Sequence, residues 1–350
     1  MNISNKYTAG WDVGGAHLKV VMVDADRRVV QVVQLPCPLW QGMAQLSQAV
    51  DQALLALNQP AAGHAVTMTG ELADVFSGRR QGVNEISRLM AAKLGAGTCF
   101  YAAADGFVGL PQVDDCHRQI ASANWHASVS LLASRLPQGL FVDIGSTTSD
   151  LIPFSDGHAL NRGFTDAERM RNDELVYTGV VRTPLMALAP AIMFRGEAYH
   201  VAAELFATTA DIYRITGDLM ETEDMAATAD GSEKSLQGSM RRLARMLGHD
   251  DEDAGDGDWM ALAQAFKTVQ LQQLRRAVER LLARGQLSMD APLVAAGAGR
   301  FLAHALADEL QRDCLEAEQL IDAETPELRR WAGVCFPAYA VATLLPQAGA

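Results

Sequence analysis

Residues 143–150 read DIGSTTSD. The apolar run Leu140-Phe141-Val142 precedes them and Leu151-Ile152 resumes directly after, which predicts a strand, a tight turn and a second strand. Gly145 lets the backbone approach a ligand closely and take positive φ. Ser146, Thr147 and Thr148 place hydroxyls beside amides freed by the turn, the makings of an anion cradle. Asp143 and Asp150 bracket it with carboxylates suited to a hard cation such as Mg2+. An ordinary polar turn has the same composition, so the stretch alone leaves both readings open.

The device occurs twice. Residues 10–24 read GWDVGGAHLKVVMVD: an apolar strand ends in Asp12, Gly14, Gly15 and Ala16 follow, and Leu18 to Val23 is apolar again. A third piece, LVAAGAGRFLAHAL at 293–306, reads as a strand, a turn through Gly297 and Gly299, and a helix. A helix N-terminus after a glycine turn suits a phosphate or a nucleotide. Two acid-then-glycine turns predict two similar half-domains facing one anionic ligand.

The order DVGGAHLK, DIGSTTSD, AAGAGRF resembles the two phosphate loops and the adenosine loop of the actin/sugar kinase/Hsp70 superfamily. DIGSTTSDLIPF is similar to its hydantoinase/oxoprolinase branch. Four more stretches, TMTGELADVF (67–76), SANWHAS (122–128), ELVYTGVVRTPLMAL (174–188) and AELFATTADIYRITGDL (203–219), resemble proteins of tetrahydromethanopterin-linked one-carbon transfer, a group that includes an archaeal methanofuran-pathway enzyme. The resemblance covers nearly the whole chain. It implies an α/β, two-lobed actin/Hsp70-like (ribonuclease H-like) fold, with a duplicated βββαβαβα unit and a central cleft.

Composition sets outer bounds. The 350 residues, 49% of them hydrophobic, can bury a large core. A net charge of −13, from 29 basic and 42 acidic residues, argues against nucleic acid and against an anionic membrane surface as partners. No apolar run is long enough to span a bilayer. The opening MNISNKYTAG lacks an apolar signal core, so a cytoplasmic location is expected. Five scattered cysteines without a CxxC pair predict reduced thiols, and eight dispersed histidines indicate no zinc site.

Periodicity places strands at 7–13, 18–24, 29–35, 65–69 and 98–102 and helices at 42–57, 83–94 and 115–135, a βββαβαβα first lobe over 1–137. The second lobe, 138–350, opens with strands at 139–144 and 149–154. It continues with loops and short strands at 160–185, a helix at 197–216, a helix at 259–284, a strand at 292–296 with its helix to about 312, and a helix at 327–345. The stretch 221–258 holds eleven acidic against four basic residues and predicts a solvated inserted loop.

Asp12 and Asp143 are the expected catalytic and metal-holding carboxylates, with Mg2+ as the cofactor. Gly14, Gly15, Gly145, Ser146, Thr147, Thr148, Gly297 and Gly299 would meet phosphate through the backbone, and Lys19 would point at it or outward. Glu71 follows a strand end in the family-like TGEL stretch; it is a general base or a ligand to a metal-bound water, or else a helix-capping neighbour. Asn124, placed mid-helix where asparagine is disfavoured, would bind substrate or fill a polar core position. Arg182 and Thr183 precede Pro184 in a loop where a guanidinium can clamp a diphosphate. Thr208 and Asp211 lie in the family-like FATTAD stretch and are candidate substrate contacts.

The resemblance implies a transferase that joins an aminomethylfuran diphosphate to the phenol of a γ-glutamyl tyramine or tyrosine, releasing diphosphate. An ATP-dependent kinase or an oxoprolinase-type hydrolase would use the same loops, with ATP bound. A scaffold retaining the fold is a third reading, and an assembly of identical copies stays open.

Overall fold

The computed structural model describes residues 7–346. The chain forms two compact units. The first takes Met1–Gly139, Ile152–Arg169 and Glu316–Ala350, and the second takes Leu140–Leu151 and Met170–Leu315.

In chain order the first elements are β1 (Thr8–Val13), β2 (His17–Val23), β3 (Val29–Pro36), α1 (Met43–Ala56), β4 (Gly63–Met68), α2 (Arg79–Leu94), β5 (Cys99–Tyr101), β6 (Phe107–Gly109), α3 (His117–Ile120) and α4 (Asn124–Ala133). There follow β7 (Gln138–Ile144), β8 (Ser149–Ser155), β9 (His158–Ala159), α5 (Asp166–Arg171), β10 (Leu175–Val176), α6 (Leu185–Leu188), β11 (Ala191–Phe194) and β12 (Glu197–His200). The remainder is α7 (Thr209–Thr216), α8 (Leu236–Arg245), α9 (Asp256–Leu282), β13 (Leu293–Ala296), α10 (Arg300–Leu310), β14 (Cys314–Glu316), α11 (Pro326–Val334) and α12 (Phe336–Leu344).

The first sheet has the order β3-β2-β1-β4-β5-β6. β1 pairs antiparallel with β2 and parallel with β4, so it is central. Residues alternate across a strand, and β1 buries both faces. Trp11 and Val13 join Leu46, Val50, Ile86 and Met90 of α1 and α2 in one core. On the other face Gly10 meets α12: a β-carbon there would lie 2.7 Å from the Ala342 amide and 2.8 Å from its methyl. The C-terminal segment, expected in a lobe beginning at 138, therefore groups with the first unit.

The second sheet has the order β10-β8-β7-β13-β14, with β9 beside β8. β7 pairs parallel with β13 as β1 does with β4, so the strand carrying Asp143 is again central. Leu140, Val142 and Ile144 of β7 pack into a core with Phe266, Leu274 and Val278 of α9.

Most expected elements are present, and four readings are corrected. The helix expected over 115–135 is two helices, broken at Ser122, whose φ is +51°. The one expected over 327–345 also breaks, at Cys335, because Pro337 opens α12 and cannot donate into a continuous helix. Residues 197–200 are not helical but strand β12, folded onto β11 through Arg195 (φ +49°) and Gly196 (φ +84°); only 209–216 is helix. The acidic stretch 221–258 is not a solvated loop throughout. It contains α8, whose Arg242 is fully buried, and buried Glu223 and Asp224.

No helix among the described residues is long and apolar enough to cross a membrane. None of the five cysteines is in a disulfide.

Candidate functional site

The two acid-ended strands close their turns with the same hydrogen bond. The Gly14 amide donates to the His17 carbonyl at 2.9 Å, and the Gly145 amide donates to the Thr148 carbonyl at 2.9 Å. Both turns lie at the carboxyl end of a central strand with a parallel neighbour, where ligands bind in open α/β sheets.

In the second unit the segment 179–182 lies over the Gly145 turn. The Val180 amide donates to the Gly145 carbonyl at 3.0 Å, and the Val181 and Arg182 amides donate to the Ser146 carbonyl at 3.1 and 2.8 Å. Gly179 is required by this approach, since a β-carbon would stand 2.5 Å from the Thr147 amide. From the other side comes the loop after β13. Gly297 has φ +79°, and a side chain there would run into the Asp143 carboxylate and the Ile144 carbonyl. The Gly299 amide donates to the Ile144 carbonyl at 2.8 Å, and α10 begins at the next residue. Asp143, Gly145 to Thr148, Gly297, Gly299 and the Arg182 backbone are thus one cluster.

In the first unit Asp12 is the penultimate residue of β1, with 6% exposure. The turn after β4 packs on the Gly14 turn: the Thr69 amide donates to the Val13 carbonyl at 2.9 Å. A β-carbon on Gly70 would stand 3.2 Å from the Gly14 carbonyl. The next residue is Glu71, which is 1% exposed. Its Oε1 accepts the Ser122 hydroxyl at 2.7 Å, and its Oε2 is buried without a hydrogen-bond partner. Burial pushes the Glu71 carboxyl up to about 7, a shift that the Ser122 bond partly opposes. Arg79, at the start of α2, pairs with Asp166 at 2.7 Å. Arg79, Arg80, His117, Arg118, Ser122 and Asp166 line a cavity of about 210 Å³. Beside this region Arg169 lies over the Trp125 ring, its Cζ 4.3 Å from the centroid.

Four expected contacts have other partners. The Lys19 ammonium donates to the Val334 carbonyl at 3.1 Å, at the carboxyl end of α11, where a cation opposes the helix dipole. The Thr183 hydroxyl accepts from the Gly179 amide at 2.8 Å and shapes the loop. Thr208 caps α7, and Asp211 completes its capping box. The Asp211 carboxylate also receives Arg242 Nε at 2.9 Å and the Ser239 hydroxyl at 3.0 Å, and it is 2% exposed. Asn124 is not mid-helix but the first residue of α4, two positions from Ser122.

Sequence reading missed Ser122, Arg79, Arg118 and Asp166. The signal for the first was present as the SANWHAS stretch, but nothing in it announces a left-handed serine.

Among the described residues no three His, Cys, Asp or Glu side chains are grouped to hold a metal. Mg2+ commonly takes only one or two carboxylates, its other ligands being water and phosphate oxygens. Asp12 in the first unit and Asp143 in the second, each near a strand end beside a glycine turn, each offer one such carboxylate.

A hydantoinase/oxoprolinase family profile matches residues 62–320. The chain belongs to the hydantoinase/oxoprolinase family. This family member is 28% identical over 337 residues, 96% of either chain, to the (4-{4-[2-(gamma-L-glutamylamino)ethyl]phenoxymethyl}furan-2-yl)methanamine synthase of Methanocaldococcus jannaschii. It is 40% identical over 108 residues, 31% of this chain and 48% of the other, to the protein of the same name from Methanococcus vannielii. Its structure resembles nucleotide-free acetone carboxylase with a TM-score of 0.56 at 11% identity, covering 97% of this chain and 70% of that one. The fold of this hydantoinase/oxoprolinase member is α/β, and it is shared with that acetone carboxylase chain.

Proposed function

We propose that this chain is an enzyme of methanofuran-type cofactor biosynthesis. It joins an aminomethylfuran diphosphate, through its methylene carbon, to the phenol oxygen of a γ-glutamylated tyramine or of tyrosine, and releases diphosphate. The observation that carries the reading is the 28% identity to the methanamine synthase across 96% of both chains. The name of that relative describes a phenoxymethylfuran, the ether such a step would form.

The chemistry of the turns supports it. Departure of a diphosphate develops charge on oxygen, and preorganised amides and hydroxyls aimed at that charge stabilise it. Ser146, Thr147 and Thr148, on the turn that Gly145, Gly297 and Gly299 shape, would supply such groups, and Asp143 beside that turn, like Asp12 beside the Gly14 turn, would supply a carboxylate to Mg2+, which neutralises phosphate charge when bound. Arg182, exposed and with its backbone amide on the Ser146 carbonyl, would meet a phosphate oxygen. Glu71, with a carboxyl poised near neutrality, suits proton acceptance at physiological pH.

The test is product analysis by mass spectrometry, with Mg2+, the furan diphosphate and either phenolic acceptor. Formation of the furfuryl aryl ether with one diphosphate per ether is expected. No ether at saturating substrates overturns the reading. Turnover of ATP dependent on a small substrate would replace it with a kinase or an oxoprolinase-type hydrolase, and no binding of diphosphates at all with a scaffold.

A further inference from the structure

Ser122 holds a backbone conformation that serine rarely adopts. Its φ of +51° lies in the left-handed region, where a β-carbon is disfavoured. Strain of this kind persists where the surroundings enforce it, and it gathers at functional sites. Here the conformation separates α3 from α4 and brings the Ser122 hydroxyl to 2.7 Å from Glu71 Oε1. Ser122 also lines the 210 Å³ cavity, which Glu71 does not. The hydroxyl therefore stands between a buried carboxyl and this cavity.

The rest of the lining suits an oxygen that becomes negative. Arg79, Arg80, His117 and Arg118 contribute cationic or protonatable groups; one carboxylate of the lining, Asp166, pairs Arg79, and Asp114, outside the lining, pairs Arg80. A phosphate-bearing group already has its turns elsewhere in the chain. A neutral hydroxyl that must lose a proton would use both features of this cavity, the relay and the cations.

We propose that this cavity is where the acceptor's hydroxyl is activated, with Ser122 passing its proton to Glu71. The inference rests on the transferase reading above and adds the site and the relay. The acceptor O–H proton moves to Ser122 Oγ as the Ser122 proton moves to Glu71 Oε1. The acceptor oxygen uses a lone pair to form the C–O bond to the methylene carbon, and the methylene–diphosphate bond breaks with its electron pair leaving on diphosphate. Guanidinium groups of Arg79 and Arg118 offset the charge on the acceptor oxygen during transfer. Asp166 and Arg79 are the charged groups that face Glu71; the first raises its affinity for a proton and the second lowers it. Glu71 works as a base only when ionised, so the rate rises with pH through about 7.

The decisive variant is Ser122→Gly, which removes the hydroxyl while giving the backbone the residue that φ favours. Single-turnover ether formation is measured from pH 5.5 to 9 for wild type, S122G, E71Q and the double variant. Wild type should show an acid limb near pH 7. S122G and E71Q should each lose about 100-fold or more, the scale of general-base catalysis, and lose the limb. The double variant should be no slower than either, because the two act as a unit. A wild-type rate and limb in S122G, or losses that multiply in the double variant, overturn the relay alone. Wild type that forms no ether overturns the transferase reading and the relay with it.

Discussion

Gly297 leaves room for the Asp143 carboxylate. A β-carbon at residue 297 would fall on Asp143 Oδ1 and on the Ile144 carbonyl, and the φ of +79° is itself unfavourable for any other residue. Gly297→Ala should therefore cost roughly 2–4 kcal/mol in urea unfolding, from the collision and the backbone strain together. A loss below about 0.5 kcal/mol would show that the loop after β13 yields easily.

Gly15 provides the contrast. No atom lies within 4 Å of a β-carbon built there, and its φ is not positive. Gly15→Ala should change stability by less than about 1 kcal/mol. If phosphate approaches this backbone as proposed, the same variant weakens diphosphate binding by calorimetry, separating ligand approach from folding.

Glu71 links proton uptake to stability. Its carboxyl is raised from 4.5 to about 7 by burial. The folded state thus binds the proton more tightly than the unfolded chain, and its contribution is fully present below about pH 4.5 and lost as pH rises through 7. The difference is roughly 3 kcal/mol. Glu71→Gln should stabilise the protein relative to wild type at pH 8, with the gain shrinking by pH 5. Denaturant titrations at the two pH values check this; a pH-independent difference would remove the buried-acid account.

Arg242 and Asp211 form a buried pair at 2.8 Å, joined by Asp230 at 3.2 Å from the same guanidinium. Arg214 and Asp224 extend it at 2.5 Å. Removing one member strands a buried charge, so Arg242→Met should cost about 3–5 kcal/mol. Unfolding of the variant within 1 kcal/mol of wild type would contradict a structural role for Asp211.

Asp143→Asn keeps the shape beside Gly297 and removes the charge. Under the proposed function it should lower ether formation by about 10²–10³-fold at fixed Mg2+ while leaving the circular dichroism spectrum unchanged. An unaltered rate would take Asp143 out of the mechanism.

The turns were readable because their cause is local. An acid at a strand end and glycines after it are consecutive residues, and the structure gives the Gly14 and Gly145 turns the same closing bond. The bond from Arg242 to Asp211 is not legible in the sequence because Arg242 lies 31 positions on, in a stretch whose acidity suggests solvent. The 197–216 helix was misread because the Arg195-Gly196 turn was not recognised as the corner of a hairpin. Ser122 could not be read at all. Its left-handed φ is imposed by what packs around it, and a serine inside an apolar-periodic run looks like any helical residue.

The seat of α12 against Gly10 ties the beginning of the first sheet to residues translated more than 300 positions later. On a ribosome, the strand carrying Asp12 must wait with one face bare until Phe336–Leu344 has left the exit tunnel. Nascent chains halted before that segment should be good clients for a holdase, and a tag that hinders the docking of α12 should lower the yield of folded protein rather than its specific rate.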